Sequence, residues 1–155
     1  MISAKNLFKY RGFMWGGSGS GGSGGGSASK EWFNDGNTHI WISLPEGRTS
    51  PMLGVCPKGT VTVDWGDGSE PDVLTGTSTS TAQWTPVHNY DKHGDYIITL
   101  SVDGTMGIVG DVVSNSGTRL LRYSSGGDAR NYVYMNAIKK VEVGNGGVDR
   151  LQLVF

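Results

Sequence analysis

The residues able to do chemistry in this chain are few and do not converge. Its three histidines, His39, His88 and His93, read as lying on a strand, at a corner and in a turn. They lack the i, i+4 spacing that lets one helix face offer a zinc pair. Cys56 is the only cysteine, so it can form neither an intrachain disulfide nor a cysteine-based zinc site. With no basic element or nucleophile signature around it, it reads as a small buried apolar side chain. No G-x-S-x-G elbow, GxxxxGK[ST] phosphate loop or H-E-x-x-H is present. A hydrolase or transferase needs a nucleophile, a base and an oxyanion site together, and the expectation is that the protein is not an enzyme. Asp64, Asp67, Glu70 and Asp72 crowd one turn, and alternating oxygen ligands are what calcium uses. The run lacks D-x-[DN]-x-[DN]-G, so these carboxylates are expected to shape the turn, and no cofactor is expected. Trp32, Trp41, Trp84, Tyr132 and Tyr134 could stack on sugar rings if exposed, and carbohydrate is one possible partner class. In β-rich folds most large aromatics are core, and for Trp84 the core is the expected place.

The carboxylate turn has a strand on each side of it in sequence. Val61, Val63 and Trp65 alternate with Thr62 and Asp64, the period of a half-buried strand. Gly66-Asp67-Gly68-Ser69 then turns the chain: glycine takes positive φ freely, and the Asp67 carboxylate can accept backbone N–H groups. About twenty residues on, His88-Asn89-Tyr90 reads as a corner, and Gly94 to Val102 as a strand with Tyr96, Ile98, Leu100 and Val102 on one face.

These residues resemble the PKD (polycystic kidney disease) family of immunoglobulin-like β-sandwich domains. Its hallmarks are a WDFGDGS-like turn, a downstream H-x-Y and a G-x-Y-x-V-x-L strand. Here they stand as WGDGS from Trp65 to Ser69, His88-Asn89-Tyr90, and Gly94-Asp95-Tyr96-Ile97-Ile98-Thr99-Leu100. The resemblance covers Trp41 to Val102 and keeps the family's order. It implies an all-β sandwich whose structural motif is Trp65, Asp67, His88, Tyr90 and Tyr96. It also implies a non-catalytic spacer or binding unit of extracellular, cell-surface or virion proteins.

At 155 residues the chain allows one modest domain plus a tethered segment. Lys and Arg number 13 against 14 Asp and Glu, for a net charge of -1. Their even spread leaves neither a basic stripe for nucleic acid nor a basic amphipathic helix for a membrane surface. No apolar run approaches the roughly 20 residues that span a bilayer, and no signal-peptide core opens the chain. Membrane insertion and nucleic-acid partners are therefore not expected.

Residues 1–15 carry Leu7, Phe8, Tyr10, Phe13, Met14 and Trp15, too apolar for a solvated tail and too short to fold alone. As a strand, Leu7, Phe13 and Trp15 share one face and Phe8, Tyr10 and Met14 the other, with Gly12 a candidate bulge; as a helix, Leu7, Tyr10 and Met14 fall at i, i+3 and i+7, a reading that Gly12 weakens. Residues 16–29 are only Gly, Ser and one Ala. Such a run is a flexible coil with an r.m.s. span of ~20 Å and a contour limit of ~45 Å. Its purity, and the Ala28-Ser29 scar at its end, read as an engineered linker. Joining an apolar peptide to a domain through such a tether raises its local concentration to roughly millimolar. The peptide is therefore expected to dock on the domain, and the expected partner class is a protein or peptide strand.

From residue 30 to 155 the chain reads as one β domain. A turn at Asn34-Asp35-Gly36-Asn37 leads into a strand where His39, Trp41 and Ser43 alternate with Ile40, Ile42 and Leu44. Residues 45–57 read as loop with a short apolar step, and 71–86 as short edge strands. Asp103-Gly104 signals a hairpin-like turn, with a separate strand from Met106. Residues 131–137 fit a strand or a short helix. IKKVEVGNG at Ile138 to Gly146, followed by an L-x-L strand, resembles the opening of leucine-rich repeats of bacterial surface proteins. Ile2 to Phe8 would continue that series after Leu151 to Phe155. Two origins for the peptide stand level: a segment of this domain moved to the front by circular permutation, or a strand borrowed from a neighbouring subunit.

Overall fold

The computed structural model describes residues 32–110, 120–123 and 131–153. Residues 1–15, with Leu7, Phe8, Tyr10, Phe13, Met14 and Trp15, and the glycine- and serine-rich residues 16–29 lie outside them. Strands β1 (Thr38–Leu44), β2 (Met52–Asp64), β3 (Asp72–Thr77), β4 (Gln83–Trp84), β5 (Gly94–Gly110) and β6 (Leu121–Arg122) precede helix α1 (Asn131–Ala137), and β7 (Ile138–Glu142) and β8 (Val148–Leu153) follow it. The described chain is thus all-β apart from one seven-residue helix.

The main sheet runs β3-β2-β5-β1-β7 with every neighbour antiparallel. β4 and β6 pair with the first residues of β2. Side-chain alternation decides which face turns inward. Ile40, Ile42 and Leu44 of β1, Val61 and Val63 of β2, and Ile98 and Leu100 of β5 are all buried, and they form one core with Leu53, Val55, Met106, Ile108, Tyr134 and Ala137.

Two readings of the sequence need correction. Asp103-Gly104 is not a hairpin turn: β5 runs unbroken from Gly94 to Gly110. Gly104 lies opposite Gly59 of β2, and both take positive φ, +110° and +121°. A Cβ on either would come within 2.5 Å of the other strand's backbone oxygen. Two long strands therefore cross closely at this glycine pair, and the D-G signal marks a close approach rather than a reversal. Residues 52–57 are also strand, not loop. Pro57 pairs with Met106, and its carbonyl accepts the Ser78 amide at 3.2 Å, a role that needs no N–H from proline.

The last two strands share one direction, each parallel to β5. β7 lies beyond β1, with Ile138 opposite Ile42 and Glu142 opposite His39. After Glu142 the chain steps one row inward, and β8 pairs in parallel with β5 from Met106 to Gly110. The step wraps around the start of β1: the Gly144 amide donates to Thr38 Oγ1 at 3.1 Å, and the Gly146 amide donates to Gly36 O at 3.2 Å. The core is less sealed along this rim than elsewhere. Of seven half-buried apolar side chains packed against it, four (Ile138, Val143, Val148 and Leu151) lie on β7, the step and β8.

Candidate functional site

The residues singled out from the sequence at the WGDGS turn do assemble. Trp65 is fully buried, and its Nε1–H donates to Asp72 Oδ2 at 2.9 Å. His88 stacks on its ring, 4.4 Å between centroids and 7° from parallel. Asp67 Oδ1 accepts from both the amide and the hydroxyl of Ser69, and Asp67 Oδ2 lies 2.8 Å from His88 Nε2. Tyr90 donates its hydroxyl to Trp65 O at 2.9 Å and packs on Tyr96 with centroids 4.1 Å apart. Burial first, then the negative charge of Asp67, raises the Tyr90 phenol far above its ordinary value, so it stays a donor. The Asp64 carboxylate accepts the Gly66 amide at 2.8 Å. Asp64, Asp67 and Asp72 are each bonded into the turn, which is structural chemistry: every carboxylate satisfies a donor that the turn would otherwise leave bare.

Burial raises the Asp67 carboxyl, but the Ser69 hydroxyl and amide together with His88 lower it by more, and it rests below its usual value. Asp35 is lowered too, chiefly by its hydrogen bond to His39. A depressed folded value means stability that is complete above the unfolded value near 4 and lost as pH falls through the folded one. Stability should therefore drop as pH falls below about 4, and Asp67→Asn should flatten that limb in urea titrations.

A second cluster lies on the other face of β1 and was not foreseen as a unit. Residues 32–37 form a strap across that face. The Glu142 carboxylate, buried at the end of β7, accepts the amides of Phe33 and Asn34 at 2.9 and 3.1 Å. Phe33 stacks on His39 at 3.9 Å. His39 spans from Asp35 at 2.9 Å to Thr99 Oγ1 at 3.1 Å. The Lys140 ammonium sits over Trp32 and over Trp41, 4.0 and 4.1 Å from the ring centroids, a cation held by two π faces. Asp35 and His39, four apart in a turn, were the one visible sequence signal; nothing in the sequence joins Glu142 to residue 33.

Of the aromatics named as sugar platforms, Trp41, Trp84 and Tyr134 are otherwise engaged. Trp84 is half-buried, with its ring against the Gly54 backbone and the Arg122 guanidinium 4.1 Å above it. Tyr134 is buried, and its phenol oxygen accepts the Ser50 amide at 3.1 Å. Tyr132 belongs to α1. Trp32 is exposed, at 39 %. Cys56 is buried, and burial pushes its thiol up. Among the described residues no group of three or more His, Cys, Asp or Glu is placed to hold a metal ion, and no helix is long and apolar enough to cross a membrane.

No family model, curated protein or solved structure matches this chain.

Proposed function

We propose that this chain is a non-catalytic structural or protein-binding module from a bacterial surface protein or a bacteriophage particle, working by strand addition to an open sheet edge. Its body would be a PKD-like, immunoglobulin-like sandwich, and residues 1–15, joined through an engineered linker at 16–29, would supply the missing strand. The observation that carries this reading is the unsealed rim: Ile138, Val143, Val148 and Leu151, four of the seven half-buried apolar side chains packed on the core, lie together along it. An apolar ribbon bearing Leu7, Phe8, Tyr10, Phe13, Met14 and Trp15 is what such a rim lacks. The non-catalytic part is supported by the use of the side chains that could do chemistry. His39 and His88 each hold a carboxylate and an aromatic ring in place.

A protease site placed in the linker tests the reading. Cutting it and removing residues 1–15 should lower the melting temperature by roughly 5–10 °C and reduce solubility, because an edge and its apolar neighbours return to water. An unchanged melt would mean that the peptide is a passenger displayed on a self-sufficient domain. The rival carbohydrate reading leans on the exposure of Trp32. It predicts glycan-array binding that Trp32→Ala abolishes without loss of folding.

A further inference from the structure

We infer that the segment 1–15 docks on the outer edge of β8, in the row that β7 leaves when the chain steps inward after Glu142. This rests on the strand-addition reading and gives it an address.

Among the described residues, and setting aside the two-residue strands β4 and β6, the strands with an unpaired side are β3, β7 and β8. On β3, the core-facing Leu74 is already covered, and Val73, 60 % exposed, alternates with it and so lies on the other face. An added strand there would seal nothing. β7 carries Lys139 and Lys140, and lysine on an edge opposes pairing. Its last residue is also committed to the strap through Glu142.

β8 also carries charges, Asp149 and Arg150, but no lysine, and it differs from β3 in the apolar side chains it leaves half-covered. Val148 lies opposite Met106 and Leu151 opposite Ile108; the two β5 side chains are fully buried, while the two β8 side chains are half-covered. β5 occupies one side of β8. On the other side, the row that holds β7 up to Glu142 continues past the step. A strand laid there would extend β7's row and cover Val148 and Leu151.

The chain also starts in the right neighbourhood. Trp32, the first described residue, lies on Lys140 of β7, and the step to β8 follows at residue 143. The ~20 Å typical span of the linker covers that distance. Reach alone would also allow β3, four strand spacings or ~19 Å from β7, so the half-covered side chains decide between the edges.

Hydrogen exchange on the full chain, before and after a protease cut in the linker and removal of residues 1–15, tests this address. Strand pairing protects the outward amides of residues 148–153, so these should exchange at least ~10-fold faster after the cut, with Asp72–Thr77 unchanged. If the cut lowers the melting temperature but the loss of protection falls on β3 or on β7 alone, the address is wrong and strand addition survives. If neither the melt nor any amide changes, both fall. If the cut protein keeps β8 protected and forms a concentration-dependent dimer, the edge belongs to a second copy, and the inference is overturned.

Discussion

Trp65→Ala should cost this protein about 3–5 kcal/mol, the range for emptying a large aromatic site in a core. The effect is large because the indole serves three neighbours at once. Its ring is the platform for His88, its edge meets Tyr90 at 88° with centroids 6.1 Å apart, and its N–H bonds Asp72 at the start of β3. Without the ring, His88 loses its stacking partner while still tied to Asp67, and the corner after β4 loses its seat. Against a total stability of roughly 5–15 kcal/mol, such a loss leaves the folded state marginal. Trp65→Phe separates the contributions: it keeps an aromatic face but drops the N–H, and should cost nearer 1–2 kcal/mol. Urea denaturation of the two variants decides the matter. A Trp65→Ala midpoint within error of the parent would mean that the WGDGS corner decorates the fold instead of holding it.

That corner was also what the sequence displayed best, for a physical reason. Alternation in Val61-Thr62-Val63-Asp64-Trp65, glycines at a reversal and an aspartate able to bond its own turn are local signals, each visible within ten residues. The partners His88, Tyr90 and Tyr96 came from the family resemblance; His88 and Tyr90 do meet Trp65, and Tyr96 packs on Tyr90. Long-range geometry was less readable. Asp103-Gly104 looks like a hairpin because D-G dipeptides favour positive φ, yet here Gly104 uses that freedom to pass Gly59 at close range. One local conformation thus serves two different purposes, and only the register between β2 and β5 tells them apart. The strap is the extreme case. Glu142 lies 109 residues from Phe33, and no periodicity or turn signal links a carboxylate to backbone amides at that distance.

Gly144→Ala should be the most damaging small change on the β7–β8 rim. A Cβ at this position would lie 2.1 Å from Gly36 O and 2.5 Å from both Asn37 C and Asn37 O. All three are backbone atoms, so no side-chain rotation can make room. The step between the strands would have to move away from the strap, weakening the bonds from Gly144 N to Thr38 Oγ1 and from Gly146 N to Gly36 O. Overpacking of this kind costs typically 1–3 kcal/mol, and rigid backbone on one side places this case at the top of that range or above it. Gly146→Ala is the matched control: its nearest neighbour, Gly36 O, would lie at 3.1 Å, which a small shift of the loop relieves at under about 1 kcal/mol. The two variants also test where the rim's function resides. A step displaced by Gly144→Ala moves β8 out of line with the row beyond β7, so cutting the linker in that variant should change its melting temperature much less than in the parent. Gly146→Ala should keep the parent's full response. Equal responses in both would show that docking of the apolar segment does not depend on the alignment of β7 and β8.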